Sequence, residues 1–244
     1  MKVLVTGMNG TVAPALAQAL RAAGHEVIGW NRALIPPEEP VAVRGFIEEQ
    51  QPDALCHLGM GSARWAESMA RVCLERQLRF LFTSSVSVFS PRQQGPFTVE
   101  APPEPDDDYG RYKLECEQRI RAVDPDARIV RLGWQIGSGP GGNQMLEYLE
   151  RTHREAGRIE ASTQWYPACS FLADTAQSLL TILQGGPSGL CHLDGNPGLD
   201  FHAIAGRLRR LHHTDWTIVP VDAPVQNHRM IDPRTTVLPI TRIV

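Results

Sequence analysis

Lys2-Val3-Leu4-Val5-Thr6-Gly7-Met8-Asn9-Gly10-Thr11-Val12-Ala13-Pro14 carries the chain from a strand through a glycine turn into a helix. The first residues form a short apolar run rich in β-branched side chains. Two glycines three apart then supply a tight turn and a bare backbone, and small Ala13 lets the next helix lie close to the strand. A helix that starts there aims free N–H groups and the positive end of its dipole at the turn. This is the layout of a dinucleotide pyrophosphate site. It makes Gly7, Asn9, Gly10, Thr11 and Val12 candidate cofactor contacts.

Working outward, strand-like and helix-like segments alternate. A helix is expected over 12–23, ended by Gly24, and strands over 2–5, 26–30, 54–58, 79–84 and 128–132. Helices are expected over 63–77 and 109–123. This rhythm predicts an α/β fold: a doubly wound, mostly parallel Rossmann sheet. The second half is less regular. Gly137-Ser138-Gly139-Pro140-Gly141-Gly142 reads as a loop, with helices over 143–156, 171–183 and 201–211 and a short strand over 189–194. The expected arrangement is one structural unit. Residues 1–137 form the dinucleotide-binding core, and 138–244 form a small C-terminal substrate lobe interleaved with returning core elements at about 165–194.

Composition narrows the function classes. Hydrophobic residues make up 42% of the 244 and charged residues 21%, which suits a soluble globular protein. A net charge of -3 gives no global attraction to nucleic acid or anionic membrane, and the trio Arg207, Arg209 and Arg210 reads as a solvated helix face. No apolar run approaches the roughly 20 residues needed to span a bilayer. The start at Met1-Lys2 runs straight into a strand, so no secretory leader is expected. Cys56, Cys73, Cys116, Cys169 and Cys191 are scattered and odd in number, as expected of reduced thiols in a cytoplasmic protein. The eight histidines show no metal-ligand spacing, so no metal is expected. Leu114, Ile120 and Val123 could join a homodimer face, although core packing is the simpler use for them.

The end of the second strand bears on the cofactor. An acidic side chain about 20 residues past the glycines would bind the adenosine ribose hydroxyls. The chain instead reads Trp30-Asn31-Arg32, in which Arg32 could pair with a 2′-phosphate. This favours NADP(H) and leaves NAD(H) possible, with Asn31 and Arg32 as candidate contacts.

Tyr109 and Lys113 stand four apart in a helix and so share a face. A tyrosine with a pKa near 10 is a poor proton source at neutral pH, and a lysine charge beside it is expected to lower that value. Ser84 and Ser85 end an earlier strand, where a hydroxyl could hold a substrate carbonyl. Tyr112 lacks the spacing to Lys113. A nucleotide cradle, a serine and a Tyr-x-x-x-Lys pair make up a proton-and-hydride constellation. Trp134 follows the strand over 128–132, at the edge where open α/β sheets bind ligands, and is a candidate wall of the substrate pocket.

Thr6-Gly7-x-x-Gly10-x-x-Ala13, Pro52-Asp53-x-x-x-His57-Leu58, Ser84-Ser85-x-x-Val88-Phe89 and Tyr109-x-x-x-Lys113 together resemble the extended short-chain dehydrogenase/reductases of the NAD(P)-dependent epimerase/dehydratase superfamily. Arg131-x-x-Trp134-x-x-Gly137, with Asn143 and Met145, is similar to the branch of dTDP-4-dehydrorhamnose reductase-like, sugar-nucleotide-binding proteins. Phe171-x-x-Asp174-x-Ala176 fits the wider group. The resemblance implies that Ser85, Tyr109 and Lys113 are catalytic, with Tyr109 the general acid and Lys113 also on the nicotinamide ribose. It places the segment His57, Leu58, Gly59 and Met60 beside the cofactor, and Ser85, Trp134 and Asn143 at the substrate.

The chain departs from that pattern. It is some tens of residues shorter than usual for the extended group, Gly59 replaces the usual alanine after His57-Leu58, and the segment Arg229-Met230-Ile231-Asp232 matches only loosely. Val86 and Ser87 stand where the group's dehydratases carry an Asp-Glu pair, which disfavours dehydration. The leading expectation is an NADPH-dependent reductase of a keto group on a nucleotide-activated 4-keto sugar. A nucleotide-sugar epimerase, a reductase of a non-sugar ketone and a non-catalytic NADP-binding protein remain as alternatives.

Overall fold

A computed structural model describes residues 1–139, 142 and 144–242. In chain order the first half contains β1 (Lys2–Val5), α1 (Val12–Ala22), β2 (Glu26–Gly29), α2 (Pro40–Gln50), β3 (Ala54–His57), α3 (Ala63–Glu75), β4 (Arg79–Ser85), α4 (Asp108–Val123) and β5 (Arg128–Leu132). The second half contains β6 (Trp134–Ile136), α5 (Met145–Ala156), β7 (Ile159–Ser162), β8 (Trp165–Tyr166), β9 (Cys169–Phe171), α6 (Leu172–Gly185), β10 (Leu190–Leu193), α7 (Phe201–Leu211), β11 (Ile218–Val221) and β12 (Gln226–Asn227).

Six strands form a sheet in the order β10-β5-β4-β3-β1-β2, and every pairing in it is parallel. A parallel sheet buried on both faces needs apolar residues at successive positions, and the strands supply them. Val3 and Val5, with Ala54, Cys56, Leu81 and Val130, point to one face and pack on Leu16 and Leu20 of α1 and Leu179 and Leu183 of α6. Leu4, Leu55, Phe80, Phe82 and Ile129 point to the other face, against Val43 and Ile47 of α2, Trp65 and Met69 of α3, and Cys116 and Ile120 of α4. The doubly wound α/β reading therefore holds. The chain leaves β1 for β2 on one side and returns to place β3 on the other, which opens a crevice at the C-terminal ends of β1 and β3.

Ile120 and Val123 pack in the α3–α4 layer and Leu114 in a smaller cluster with Phe89 and Phe97, so these side chains serve the interior. All five cysteines are buried free thiols. The helix expected over 143–156 is described from Met145. Phe171 belongs to β9 and caps α6 rather than starting it.

The second half adds elements that the periodicity did not reveal. Three two-stranded parallel pairs, β6 with β9, β7 with β11 and β8 with β12, build a lobe beside the sheet. Its core gathers Met145, Leu149, Ile159, Phe201, Ile204, Leu208 and Trp216. Helix α2 was also absent from the expected elements. Pro40 sits in its first turn, a favoured position for proline.

Candidate active site

The glycine turn fills the crevice between β1 and β3. Gly7 holds a left-handed φ of +78°, and a Cβ there would lie 2.8 Å from the Gly59 nitrogen, so a side chain would strike the neighbouring strand end. Gly10 N–H donates to the Gly7 carbonyl at 2.8 Å and closes the turn. Helix α1 follows, and Thr11 at its N-cap makes no side-chain cap among the described residues. Its leading N–H groups are therefore not capped by that side chain.

Thr6 locks this turn to β3. Its hydroxyl oxygen accepts from Leu58 N–H at 3.0 Å and Gly59 N–H at 2.9 Å. It also lies 2.8 Å from His57 Nδ1, to which it donates. Burial, helped by the charges of Lys113 and Arg32, pushes the His57 pKa down to about 3, which keeps the ring a neutral acceptor. Thr6 was given no role from the sequence, although it stands inside a motif quoted above; His57 opens the segment expected beside the cofactor, and it is buried behind the turn.

A cavity of about 560 Å³ lies at this sheet edge. Gly7, Gly10, Thr11 and Val12 form one wall, with Leu58 and Met60 beside them. Ser85, Tyr109 and Lys113 line the same cavity, as does Trp134. The spacing-based reading thus brings together groups that lie up to 127 residues apart in sequence (Gly7 to Trp134). Asn9, Asn31 and Arg32 are exposed outside this lining. The Asn31 side chain accepts from Ala33 N–H at 3.0 Å, and the Arg32 guanidinium sits 5.5 Å over the Trp65 ring. Gly59 is buried behind the turn with its N–H on Thr6. Asn143 lies outside the described residues.

Ser85 ends β4 in extended conformation, and its Oγ accepts from Ser87 N–H at 3.1 Å, which fixes the hydroxyl at the strand end. Helix α4 brings the tyrosine to it. Asp107 caps the helix by accepting from Gly110 N–H at 2.6 Å. At Gly110 a Cβ would lie 2.0 Å from the Ser87 carbonyl oxygen, so only glycine lets this turn approach the Ser85 loop. The Lys113 ammonium is buried and donates to the Thr83 carbonyl at 2.8 Å, 5.7 Å from the Tyr109 ring centre.

The electrostatics of the pair differ from the expectation. Partial removal from water raises the Tyr109 pKa, although 43% of the residue stays exposed; Ser85 opposes the rise, and the nearby Asp107 charge adds to it. The lysine does not bring the phenol below its ordinary value. Lys113 itself is pulled down to about 8 by burial, against the raising influence of Cys116 and Glu117. Its donation to Thr83 directs the charge at the strand rather than at the phenol. Tyr112 is engaged elsewhere, with its hydroxyl oxygen accepting from Gly61 N–H at 3.1 Å.

Trp134 has two roles in packing. It borders the cavity, and it also packs on Tyr148, Trp165 and Phe201 of the lobe at ring-centre distances of 5.2, 6.2 and 6.2 Å. Gln135, not foreseen, lines the cavity. Its Nε2 donates to the Gly133 carbonyl, and its buried Oε1 has no partner among the described residues. Among those residues no group of three or more His, Cys, Asp and Glu could hold a metal ion, and no helix is long and apolar enough to cross a membrane.

Known proteins share this architecture. The chain is 24% identical to dTDP-4-dehydrorhamnose reductase of Mycolicibacterium smegmatis over 93% of this chain and 72% of that protein. It is 31% identical to 2′-dehydrokanamycin reductase of Streptomyces kanamyceticus over 78% of this chain and 56% of that protein. In fold it matches the crystal structure of dTDP-4-dehydrorhamnose reductase from Bacillus anthracis in complex with NADP, with a TM-score of 0.79 and 18% identity, covering 95% of this chain and 90% of that one. A family model described as RmlD substrate binding domain matches residues 1–243, and the chain belongs to that family.

Proposed function

We propose that this chain is an NADPH-dependent reductase of a keto sugar, acting on a 4-keto group of a nucleotide-activated sugar. The observation that carries the reading is the gathering of Ser85, Tyr109 and Lys113 on a cavity whose opposite wall is the glycine turn and the uncapped start of α1. The relatives named above are a dTDP-4-dehydrorhamnose reductase and a 2′-dehydrokanamycin reductase, which supports a reductase.

The turn fits a dinucleotide. A Cβ at Gly7 would collide with the Gly59 backbone, and the N–H groups at the start of α1 suit a pyrophosphate. Gly7, Gly10, Thr11 and Val12 would hold the pyrophosphate, and Lys113 the ribose hydroxyls. Asn31 and Arg32 would meet the adenosine end, with Arg32 on a 2′-phosphate. When bound, NADPH supplies the hydride that reduces a carbonyl carbon.

The chain's own groups manage the oxygen. Ser85 donates a hydrogen bond to the carbonyl oxygen, and Tyr109 gives it a proton as negative charge gathers there. The raised pKa of Tyr109 keeps that proton in place at neutral pH until the oxygen calls for it. Trp134 offers an apolar face to a sugar ring. A reducing cytoplasm suits the five free thiols.

The test is oxidation of NADPH against a panel of dTDP-, UDP- and GDP-linked keto sugars and simple ketones. Turnover of a 4-keto sugar nucleotide, lost in Tyr109→Phe, is the expected result. Turnover confined to simple ketones would overturn the sugar assignment. A parallel titration of Arg32→Ala is expected to weaken NADPH by about 1–3 kcal/mol, the scale of a hydrogen bond to a charged group, with NADH unaffected.

A further inference from the structure

Helix α4 repeats its chemistry one turn past the pair already described. Tyr109, Lys113 and Glu117 follow at four-residue spacing and share a face. Glu117 is 2% exposed, and its carboxylate takes three charge-assisted hydrogen bonds from the sheet. Ser84 Oγ donates to Oε1 at 2.5 Å. Arg131 donates through Nε to Oε1 at 2.9 Å and through its terminal nitrogen to Oε2 at 2.7 Å, a bidentate pair with both side chains almost wholly buried.

The sheet register explains why these groups converge. Ser84 on β4 is the cross-strand neighbour of Arg131 on β5, and Arg131 is the neighbour of His192 on β10. The three form one polar row across three strands beneath α4. His192 Nε2 lies 3.4 Å from the other terminal nitrogen of Arg131, and its Nδ1 meets the Phe97 carbonyl at 3.2 Å. The row is therefore tied at both ends, and Ser84 adjoins Ser85 along the chain.

We propose that Glu117 and Arg131 are positioning residues, whose pairing sets the rotation and depth of α4 so that Tyr109 meets Ser85. The proposal rests on the reductase reading for its kinetic test, since it deepens the account of that same site. Two consecutive residues of β4 engage α4, Thr83 through Lys113 and Ser84 through Glu117, and Ser85 follows them on the wall of the cavity that Tyr109 also lines. The first contact fixes a flexible side chain by one bond. The Glu117 contact is bidentate, and a planar fork tolerates little rotation of the helix. A buried pair of this kind is seldom needed for stability, because apolar residues of similar volume replace it well. Holding a direction is the use that leaves unexplained least of its geometry.

The test compares single and paired replacements. Glu117→Leu with Arg131→Met fills the volume without a fork. Its melting temperature is expected to stay near that of the parent, while kcat falls about 10- to 100-fold with the KM for ketone little changed, the scale of a misplacement near 1 Å. Arg131→Lys keeps one bond and is expected to fall between the two. Glu117→Gln removes one of the two influences, with Cys116, that raise the Lys113 pKa, so the basic limb of its pH–rate profile moves to lower pH. A readout free of substrate follows Tyr109 itself by ultraviolet difference titration, with Tyr109→Phe as the blank. The paired variant is expected to shift its midpoint by about half a unit or more. A paired variant with parental kcat and an unmoved midpoint would overturn the proposal. If the parent reduces no ketone, the reductase reading fails, and the Tyr109 midpoint alone decides the positioning role.

Discussion

Tyr109 and Tyr112 lie three residues apart on α4, yet one borders the cavity and the other is spent on the Gly61 backbone. Tyr109→Phe deletes one oxygen and is expected to lower kcat by about 10²–10⁴-fold, the usual yield of general acid catalysis, with NADPH affinity unchanged. Tyr112→Phe leaves the Gly61 N–H without its partner. It is expected to cost about 1 kcal/mol of stability and little turnover, which thermal melts and steady-state rates separate. Lys113 gives a pH prediction. With its pKa pulled down to about 8, it is charged below that pH and neutral above it. Hence kcat/KM should fall as pH rises through about 8, and Lys113→Arg should move that limb upward, because guanidinium stays charged. The four-residue spacing made Tyr109 and Lys113 legible in the chain. The direction of the Tyr109 shift was not, because it depends on how much of the phenol is taken from water, and burial is a property of the assembled site.

Elements repeat this contrast. The strands of the main sheet are runs of apolar residues between turn signals, and the helices over them have apolar stripes, so the core could be read locally. Helix α2 hid behind Pro36-Pro37-Glu38-Glu39-Pro40, a composition that suggests a loop. The pairs β6–β9, β7–β11 and β8–β12 hid because strands of two to four residues have no measurable period and find partners 35 to 61 residues away. Gly110 belongs to this scale, since its role emerges only when α4 meets the loop after β4. Gly110→Ala would put a carbon 2.0 Å from the Ser87 oxygen, so the first turn of α4 must move away from Ser85. A fall in kcat of about 10²-fold is expected, together with a lower melting temperature. Parental kinetics in a folded Gly110→Ala protein would show that the close approach has no bearing on the chemistry.

At the scale of the molecule, the segment over 226–242 crosses back over both halves. Gln226 and Asn227 pair with β8, the Gly95 and Phe97 N–H groups donate to the Asn227 and Arg229 carbonyls, and Thr235 reaches the His192 carbonyl. One terminal nitrogen of Arg242 donates to both carboxylate oxygens of Asp174 of α6 at 2.7 Å. Asp194 anchors the crossing by accepting from Cys169, Asn196 and Met230 N–H groups. Burial pushes its pKa up to about 7, against those hydrogen bonds and the Arg229 charge. A raised carboxyl pKa means that the folded state binds the extra proton. The stabilisation is full below about pH 4 and is lost as pH rises towards 7. The stability of the parent minus that of Asp194→Asn should therefore decline over that window, by at most about 1.4 kcal/mol per pH unit. Urea midpoints across the pH range measure it, and a flat difference would show that Asp194 ionises freely in the fold.

The same crossing segment imposes an order in time. Asn227 hydrogen-bonds Gly95 from 132 residues further along the chain. At a synthesis rate of roughly 5–20 residues per second, the strip around Gly95 waits on the order of ten seconds for its partner to be made. During that interval the emerging polypeptide can complete much of the sheet while Phe89 and Phe97 lack the cover that Met230 later gives them. The stacked pair Phe89 and Phe97 is thus the last part of the first half to be covered.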